Sequence, residues 1–466
     1  MENVLPKGWA SSKLGYLGQY LNGRAFKPNE WKLEGLPIVR IQNLNNEDAP
    51  FNYTDKIHEQ RYLIDNNTLL MAWSASLGVY FWDKGPAWLN QHIFKVLPNE
   101  KLITKRFLYY CLSISIDDFY RKTHGTGMVH ITKPVFENHE IPLPPLSEQE
   151  RIVAKLDKLF AQHEKIKKAL DRIPQLLKTF RQQVLTQAVT GTLTEQWREG
   201  KKLEDADIFI RKVISDRNEN DRTLKRKLTY KFIEGSYEIP DKWSFSFLQN
   251  LGEFTRGRSK HRPRNDKKLF NGAYPFIQTG DVSNATMYIN EYKNTYSEFG
   301  LKQSRLFPKG TLCVTIAANI AETAILNFDS CFPDSVVGYV PYRNLYSSEF
   351  AMYFIKTIQK ELEHFAPATA QKNINMAILG EIPFPVPPLQ EQQEIVHRVE
   401  SLFFKADAIE TRYQTLKAKI NNLPQAILHK AFKGELVPQL TTDGDAMELL
   451  AEIMALKKDV KKKGKA

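Results

Sequence analysis

One phrase is written twice in this chain, and that repeat constrains the fold more than any other feature. Residues 144–160 read PPLSEQERIVAKLDKLF and residues 387–403 read PPLQEQQEIVHRVESLF, an offset of 387 − 144 = 243. The register then holds without a gap: Gln182, Leu185, Ala188, Gly191 and Leu193 recur as Gln425, Leu428, Ala431, Gly434 and Leu436. A long-period repeat of this kind means two related structural units, each carrying one copy.

The apolar spacing gives the repeated segment its shape. Copy one runs Ile152, Leu156, Leu159, His163, Ile166, Leu170, Ile173, Leu177, Phe180, Val184, and copy two Ile395, Val399, Leu402, Ala406, Ile409, Tyr413, Leu416, Ile420, Leu423, Ile427. Steps of four and three alternate in both, which is a heptad seam and predicts helices packed as a coiled coil. Each helix would have roughly 40 residues and a length of about 60 Å. Ser147 and Glu150 have the spacing of a capping box, and Gly191 and Gly434 stand where C-terminal caps are expected. Pro174 and Pro424 fall inside the pattern at non-equivalent positions, so each is expected to kink or interrupt its helix. Each seam needs an apolar partner, and the other copy is the obvious one.

The repeat also has a weaker first half. LPKGW at 5–9 matches IPDKW at 239–243, and Gly23-Arg24 matches Gly257-Arg258, at an offset of 234. LPIVRIQNLN resembles YPFIQTGDVSN, and HGTGMVHI (124–131) takes the place of APATAQKNI (366–374). Short β-branched runs such as GVYFW, HIFKVL and GTLCVTIA lie between turn residues and predict strands. Helical stretches follow at 105–119 and 348–363. The fold class expected is α+β: two mixed α/β globular domains separated by two long helices. The boundaries expected are a domain over 1–145, a helical region over 146–197 and a linker with a short helix over 198–236. A second domain over 237–386, a second helical region over 387–437 and a C-terminal helix with a basic tail over 438–466 complete the chain. The segment DADIFIRKVI in the linker has a faint echo in GDAMELLAEI near the C-terminus.

Composition bounds the rest. At 466 residues, 42% apolar and 11% aromatic, the chain can build several packed cores. No run of 18 apolar residues occurs, and the start, MENVLPKGWA, has no apolar signal region. The three cysteines form no CxxC pair, which fits a reducing cytoplasm and argues against structural zinc. A net charge of +12 favours a polyanionic partner.

Catalytic motifs are not found. The Pro-Pro pairs are followed by Leu and make no methylase motif, HGTG lacks the third glycine of a dinucleotide turn, and no Walker A or HExxH sequence occurs. The chain reads as a binding scaffold with no metal site. Its binding candidates are basic and polar. TRGRSKHRPRNDKK places Arg256, Arg258, Lys260, Arg262 and Arg264 at alternate positions, so an extended segment would line them up along phosphates or base edges. A solvated charged loop is the competing reading. In the first domain NGRAFK keeps Arg24 and Lys27. Arg40, Gln42, Asn43 and Asn45, and in the second domain Gln278, Thr279 and Asp281, follow strand-like runs at corresponding places. Ser74, Ser76, Gln371, Lys372 and Asn373 complete the DNA-binding candidates.

The twice-written helical segments, with LPKGW and IPDKW at the domain openings, resemble the specificity (S) subunit of type I restriction–modification enzymes over the whole chain. The resemblance implies a non-catalytic DNA-recognition subunit. Residues 1–145 and 237–386 would be target-recognition domains, each reading half of a bipartite DNA target. The helices would pair antiparallel, making a pseudo-two-fold tandem repeat that sets the half-site spacing. They would also dock two methyltransferase (M) subunits, which use S-adenosylmethionine. Restriction (R) subunits would add ATP- and Mg2+-dependent cleavage in the cytoplasm. This chain would bind no cofactor itself. The helix-pair seam expected is Ile152, Leu156, Leu159, Ile166, Leu170 and Leu177 with Ile395, Val399, Leu402, Ile409, Tyr413 and Ile420. Glu148, Gln149, Glu391 and Gln392, which recur at the helix starts, are the expected partner-docking residues. Two alternatives stay open: a related system whose partner is a fused methylase–nuclease chain, and a coiled-coil protein-interaction or RNA-binding protein.

Overall fold

The computed structural model describes residues 5–122, 130–224, 226–235, 237–317, 320–365 and 376–463. The chain divides into two compact units. Unit 1 comprises Met1–Asp171 with Gln414–Ala466, and unit 2 comprises Arg172–Tyr413. The repeated segments and the short elements that trail them form the helices α1 (Leu146–Leu170), α2 (Ile173–Thr190), α3 (Ala206–Asn220), α4 (Leu389–Phe432) and α5 (Ala446–Lys463). Unit 1 thus holds α1, the second half of α4 and α5. Unit 2 holds α2, α3 and the first half of α4.

The expected interruption occurs at Pro174 and not at Pro424. The first helix ends at Leu170 and restarts at Ile173, with Pro174 at a first-turn position of α2, where its missing N–H costs nothing. Around Pro424 the helix α4 continues. The turns beyond it carry Ile427 and Ala431 into the unit 1 core, and this packing outweighs the local breaking tendency. The capping box does not form. Ser147 instead donates to the Asp443 carboxylate at 3.0 Å, and Arg151 pairs with both oxygens of Asp443 at 2.6 Å. A charged acceptor wins over the backbone because charge-assisted hydrogen bonds are the stronger kind. The C-caps are as expected. Gly191 (φ +79°) and Gly434 (φ +72°) are left-handed, and a Cβ at either would lie 2.5 Å from the ring of Pro240 or Pro6, respectively.

Each unit carries two corresponding sheets. In unit 1 one sheet runs in the order Gly18–Asn22, Ile93–Pro98, Thr68–Ala72, Gly78–Trp82, all antiparallel. A second runs Asn52–Thr54, Leu36–Val39, Ala87–Leu89, Leu63–Ile64, with a parallel pair at its centre. In unit 2 the order Gly252–Arg256, Val336–Pro341, Leu312–Thr315, Thr323–Leu326 repeats the first sheet, with Tyr288–Ile289 added at the edge. The order Asn294–Tyr296, Phe270–Phe276, Ser330–Cys331, Leu306–Phe307 repeats the second, again with a parallel central pair. A two-stranded antiparallel ribbon joins the start and end of each domain, Ala10–Lys13 with Glu140–Leu143 and Ser244–Phe247 with Pro383–Val386.

The satellite echo has a structural meaning. Ala446 N, at the start of α5, donates to Gly8 O at 2.9 Å, and Ala206 N, at the start of α3, donates to Lys242 O at 3.0 Å. Each short helix therefore begins on its own unit's LPKGW or IPDKW turn. Inside unit 2 the fully buried Arg217 of α3 donates to Gln249 O at 2.6 Å and pairs with Asp221, which pins the helix to the following strand connection.

The seam residues divide by position. Ile152 and Leu156 belong to the main unit 1 core, beside Phe107, Ile427 and Ala431. Ile395 and Val399 belong to the main unit 2 core, beside Phe350, Leu185 and Ala188. The helix starts thus pack into three-part cores of sheet, domain helix and the end of the other long helix. Further along, Leu177 and Tyr413 are buried, Leu159, Leu170, Leu402 and Ile420 are partly buried, and Ile166 and Ile409 are about half exposed. In unit 1 His163 of α1 hydrogen-bonds Ile420 O of α4 at 2.9 Å. In unit 2 Arg181 of α2 pairs with Asp407 at 2.6 Å and Glu410 at 2.9 Å of α4.

Candidate nucleic-acid interface

The repeated Gly-Arg dipeptide sits at the same place in both domains, and backbone crowding explains the glycine. A Cβ at Gly23 would lie 2.1 Å from Asn90 O, and one at Gly257 would lie 2.3 Å from Pro333 O. Only glycine lets the chain leaving the first sheet run against the parallel strand pair. Arg24 N then donates to Leu89 O and Arg258 N to Phe332 O. Beside them Asn90 N donates to Val39 O, and Ile277 N to Cys331 O. Arg24 and Arg40 thus emerge at neighbouring strand ends in unit 1, and Arg258 and Gln278 do so in unit 2.

The surroundings of the two arginines differ. Arg24 forks onto the Glu30 carboxylate at 2.7 and 3.2 Å and lies over the Phe26 ring. That bond, with a second from Lys27 N, lowers the Glu30 pKa to about 2. Arg40 lies over the exposed Trp31 ring, and its buried Nε has no partner among the described residues. Lys27 and Gln42 are exposed, while Asn45 accepts from the Tyr80 hydroxyl. Around Arg258 three of the five alternate cations are engaged. Arg256 donates to Asp334 O, Arg264 pairs with the Asp334 carboxylate at 2.9 Å, and Arg262 donates to Ser259 O at 2.7 Å. Arg258 and Lys260 are exposed, with no side-chain hydrogen bond or ion pair among the described residues. The row of five predicted from the alternation is therefore two free cations and three that shape the loop.

Burial corrects Asn43 and Ser74 among the candidates and bears on others. Asn43 is buried and donates to Ala49 O and Pro50 O, while its Oδ1 accepts from Arg40 N, so it shapes a loop. Ser74 is buried, and Ser76 and Thr279 are partly buried. Asp281 accepts from Gln278 N at 2.8 Å in a short helix start. Gln371, Lys372 and Asn373, like the HGTG run, lie outside the described residues.

The docking residues are also corrected. Glu148, Gln149, Glu391 and Gln392 are all buried to within 2%. Trp9 Nε1 donates to Glu148, and Trp243 Nε1, Thr194 and Arg198 donate to Glu391. The Gln149 amide holds Leu102 O and Pro144 O, and that of Gln392 holds Pro387 O. They recur because they join each helix to its domain. Residues that the alternation pattern missed include Glu30, Trp31 and Asp334, whose spacing carries no periodic signal.

Two copies of one α+β domain, each presenting a Gly-Arg dipeptide beside a parallel strand pair, define a duplicated binding scaffold. Residues 6–175 and 240–418 match the family model of the type I restriction modification DNA specificity domain, and the chain belongs to that family. It is 30% identical over 464 residues to the type I restriction enzyme EcoBI specificity subunit of Escherichia coli, covering 96% of this chain and 92% of that protein. The EcoKI specificity subunit of Escherichia coli strain K12 is 26% identical over 487 residues, covering 97% and 96%. The fold resembles that of the HsdS subunit from Thermoanaerobacter tengcongensis, with a TM-score of 0.59 at 18% identity, covering 92% of this chain and 98% of that one. A chain solved in work on complex assembly and conformational transition of the type I R-M system matches with a TM-score of 0.63 at 18% identity, covering 93% and 99%.

Proposed function

We propose that this chain is the DNA sequence-recognition subunit of a type I restriction–modification complex and carries no catalytic centre of its own. The observation that carries the reading is the duplicated Gly-Arg dipeptide, set on one strand topology but surrounded by different charges in the two units. Equal scaffolds with unequal surfaces suit a target of two unequal half-sites. Each domain reads one half, with exposed Lys27, Gln42, Arg258, Lys260 and Gln278 meeting phosphates or base edges. The two long helices pair antiparallel as a coiled coil. His163 with Ile420 and Arg181 with Asp407 support that pairing within the separate units. The pair sets the spacing between half-sites and docks two methyltransferase subunits, which supply S-adenosylmethionine-dependent adenine methylation. Restriction subunits add ATP- and Mg2+-dependent cleavage. The complex works on double-stranded DNA in the cytoplasm. Among the described residues no helix is long and apolar enough to cross a membrane.

Replacing residues 1–145 with the corresponding domain of another family member tests this. Genome-wide mapping of methylated adenine should show one half of the motif changed and the other kept. A motif changed in both halves, or in neither, would overturn one domain per half-site.

A further inference from the structure

The two units part at one equivalent set of side chains. Arg106, Tyr110 and Asp157 of unit 1 correspond, each at the offset of 243, to Glu349, Tyr353 and Glu400 of unit 2. In unit 1 the Arg106 guanidinium gives Asp157 Oδ1 two hydrogen bonds, at 3.1 and 3.0 Å, and the Tyr110 hydroxyl bonds the same oxygen. The guanidinium also lies over the rings of Phe81 and Tyr109. In unit 2 a second carboxylate replaces the cation. Tyr288 Oη donates toward both, 3.0 Å from Glu349 Oε1 and 3.4 Å from Glu400 Oε1.

The charge is unbalanced. Glu349 stands in the first turn of the helix Ser348–Thr357, where a dipole end favours it, but Glu400 lies within α4, away from any helix end. Two like charges sharing a site raise each other's energy. Tyr353 is fully buried, and its hydroxyl has no hydrogen-bond partner among the described residues. Burial, followed by the fields of Glu400, Tyr288 and Glu349, pushes its ionisation up. A cavity of about 750 Å³ opens over the pair, lined also by Lys309, Gln392 and His397. Neither carboxylate has an ion pair among the described residues, although Lys309 and His397 share the cavity. No group of three His, Cys, Asp or Glu suited to a metal occurs among them either.

We propose that this cavity receives an arginine side chain of a partner protein, which takes in unit 2 the place that Arg106 fills in unit 1. A guanidinium can fork onto two carboxylates and accept no proton in exchange, which suits an acidic pair beside neutral hydroxyls. The inference holds whichever protein supplies the arginine, so it does not rest on the proposed function.

The test uses the full chain with N-acetyl-L-arginine amide as probe and N-acetyl-L-citrulline amide, its uncharged isostere, as control. The arginine probe should raise the thermal midpoint at concentrations where citrulline does not. Glu349→Arg, which rebuilds the unit 1 pair within the chain, should melt higher than the parent and lose the response. Glu349→Gln, which keeps shape and removes one charge, should need at least about fivefold more probe, since each 1.4 kcal/mol is tenfold in affinity. Equal responses to the two probes, or a response unchanged in both variants, would overturn the proposal.

Discussion

Trp9 donates its indole N–H to Glu148 at 2.9 Å, across 139 positions of chain. Trp243 makes the same bond to Glu391, also at 2.9 Å. Each tryptophan opens a domain, and each glutamate lies in the first turn of the long helix that follows it. The bonds differ in company. Glu391 also accepts from Arg198 at 2.5 Å and Thr194 at 2.6 Å, whereas Oε1 of Glu148 is buried without a partner among the described residues. At the offset of 243, Val437 and Thr441 stand where Thr194 and Arg198 stand in the other copy.

Removing the two glutamates should therefore have unequal costs. Glu391→Ala takes the shared acceptor from Trp243 and Thr194 and the ion-pair partner from Arg198, which keeps Gly191 O at 2.7 Å, and is expected to cost about 3–5 kcal/mol. Glu148→Ala removes one hydrogen bond and an oxygen that was already unsatisfied, and is expected to cost about 1–3 kcal/mol. Urea unfolding of the single variants measures both, and equal costs would remove the distinction between the joints.

Unit 1 should respond to acid with two opposite signs. Arg151 beside Asp443 holds that carboxyl well below its usual range. Its contribution is present above the ordinary value of 3.8 and lost as pH falls through the depressed folded value. Burial pushes the Glu148 carboxyl up. Its contribution is full below the ordinary 4.5 and is lost as pH rises through the raised folded value. Thermal midpoints between pH 2 and pH 7 should thus show Asp443→Asn flattening the acid limb and Glu148→Gln flattening the limb above 4.5. The same curve for all three proteins would contradict both assignments.

The charged loop should divide by partner. Arg258→Ala and Lys260→Ala should each weaken DNA binding and reduce the salt slope by about 0.9 per lost phosphate contact. Arg264→Ala should change the slope less, because its guanidinium is spent on Asp334. Binding isotherms at a series of salt concentrations check this, and equal slopes in all three variants would mean that exposure does not select the contacts.

Adding seven residues to each long helix should lengthen the unread spacer. Seven residues add about 10.5 Å of helix, close to three base pairs at about 3.4 Å each. A methylation map with the parental spacing would sink the role of the helices as a ruler.

Much of the architecture could be read from local pattern. Heptad spacing and capping glycines depend on neighbours along the chain, and Gly191 and Gly434 adopt the left-handed caps that their positions implied. The double Gly-Arg was visible as a repeat, although its cause, a backbone approach to Asn90 O and Pro333 O, was not. Site chemistry was less legible. Asn43 and Asn45 are equally polar and share one short helix, yet the first is buried and the second exposed.

By itself, then, the sequence determined that there are two copies, that each ends in a long helix, and that basic residues gather at matching places. Only the tertiary structure decided which recurrent polar residues face inward. Glu148, Gln149, Glu391 and Gln392 look like an exposed signature because repetition reports constraint but not its direction. Their partners, Trp9, Leu102, Arg198 and Pro387, come from other segments, and burial depends on which surfaces those segments bring together. The same reason makes Arg264 a loop strut and leaves Arg258 free: the position of Asp334, 70 residues further on, cannot be read from the spacing of the arginines.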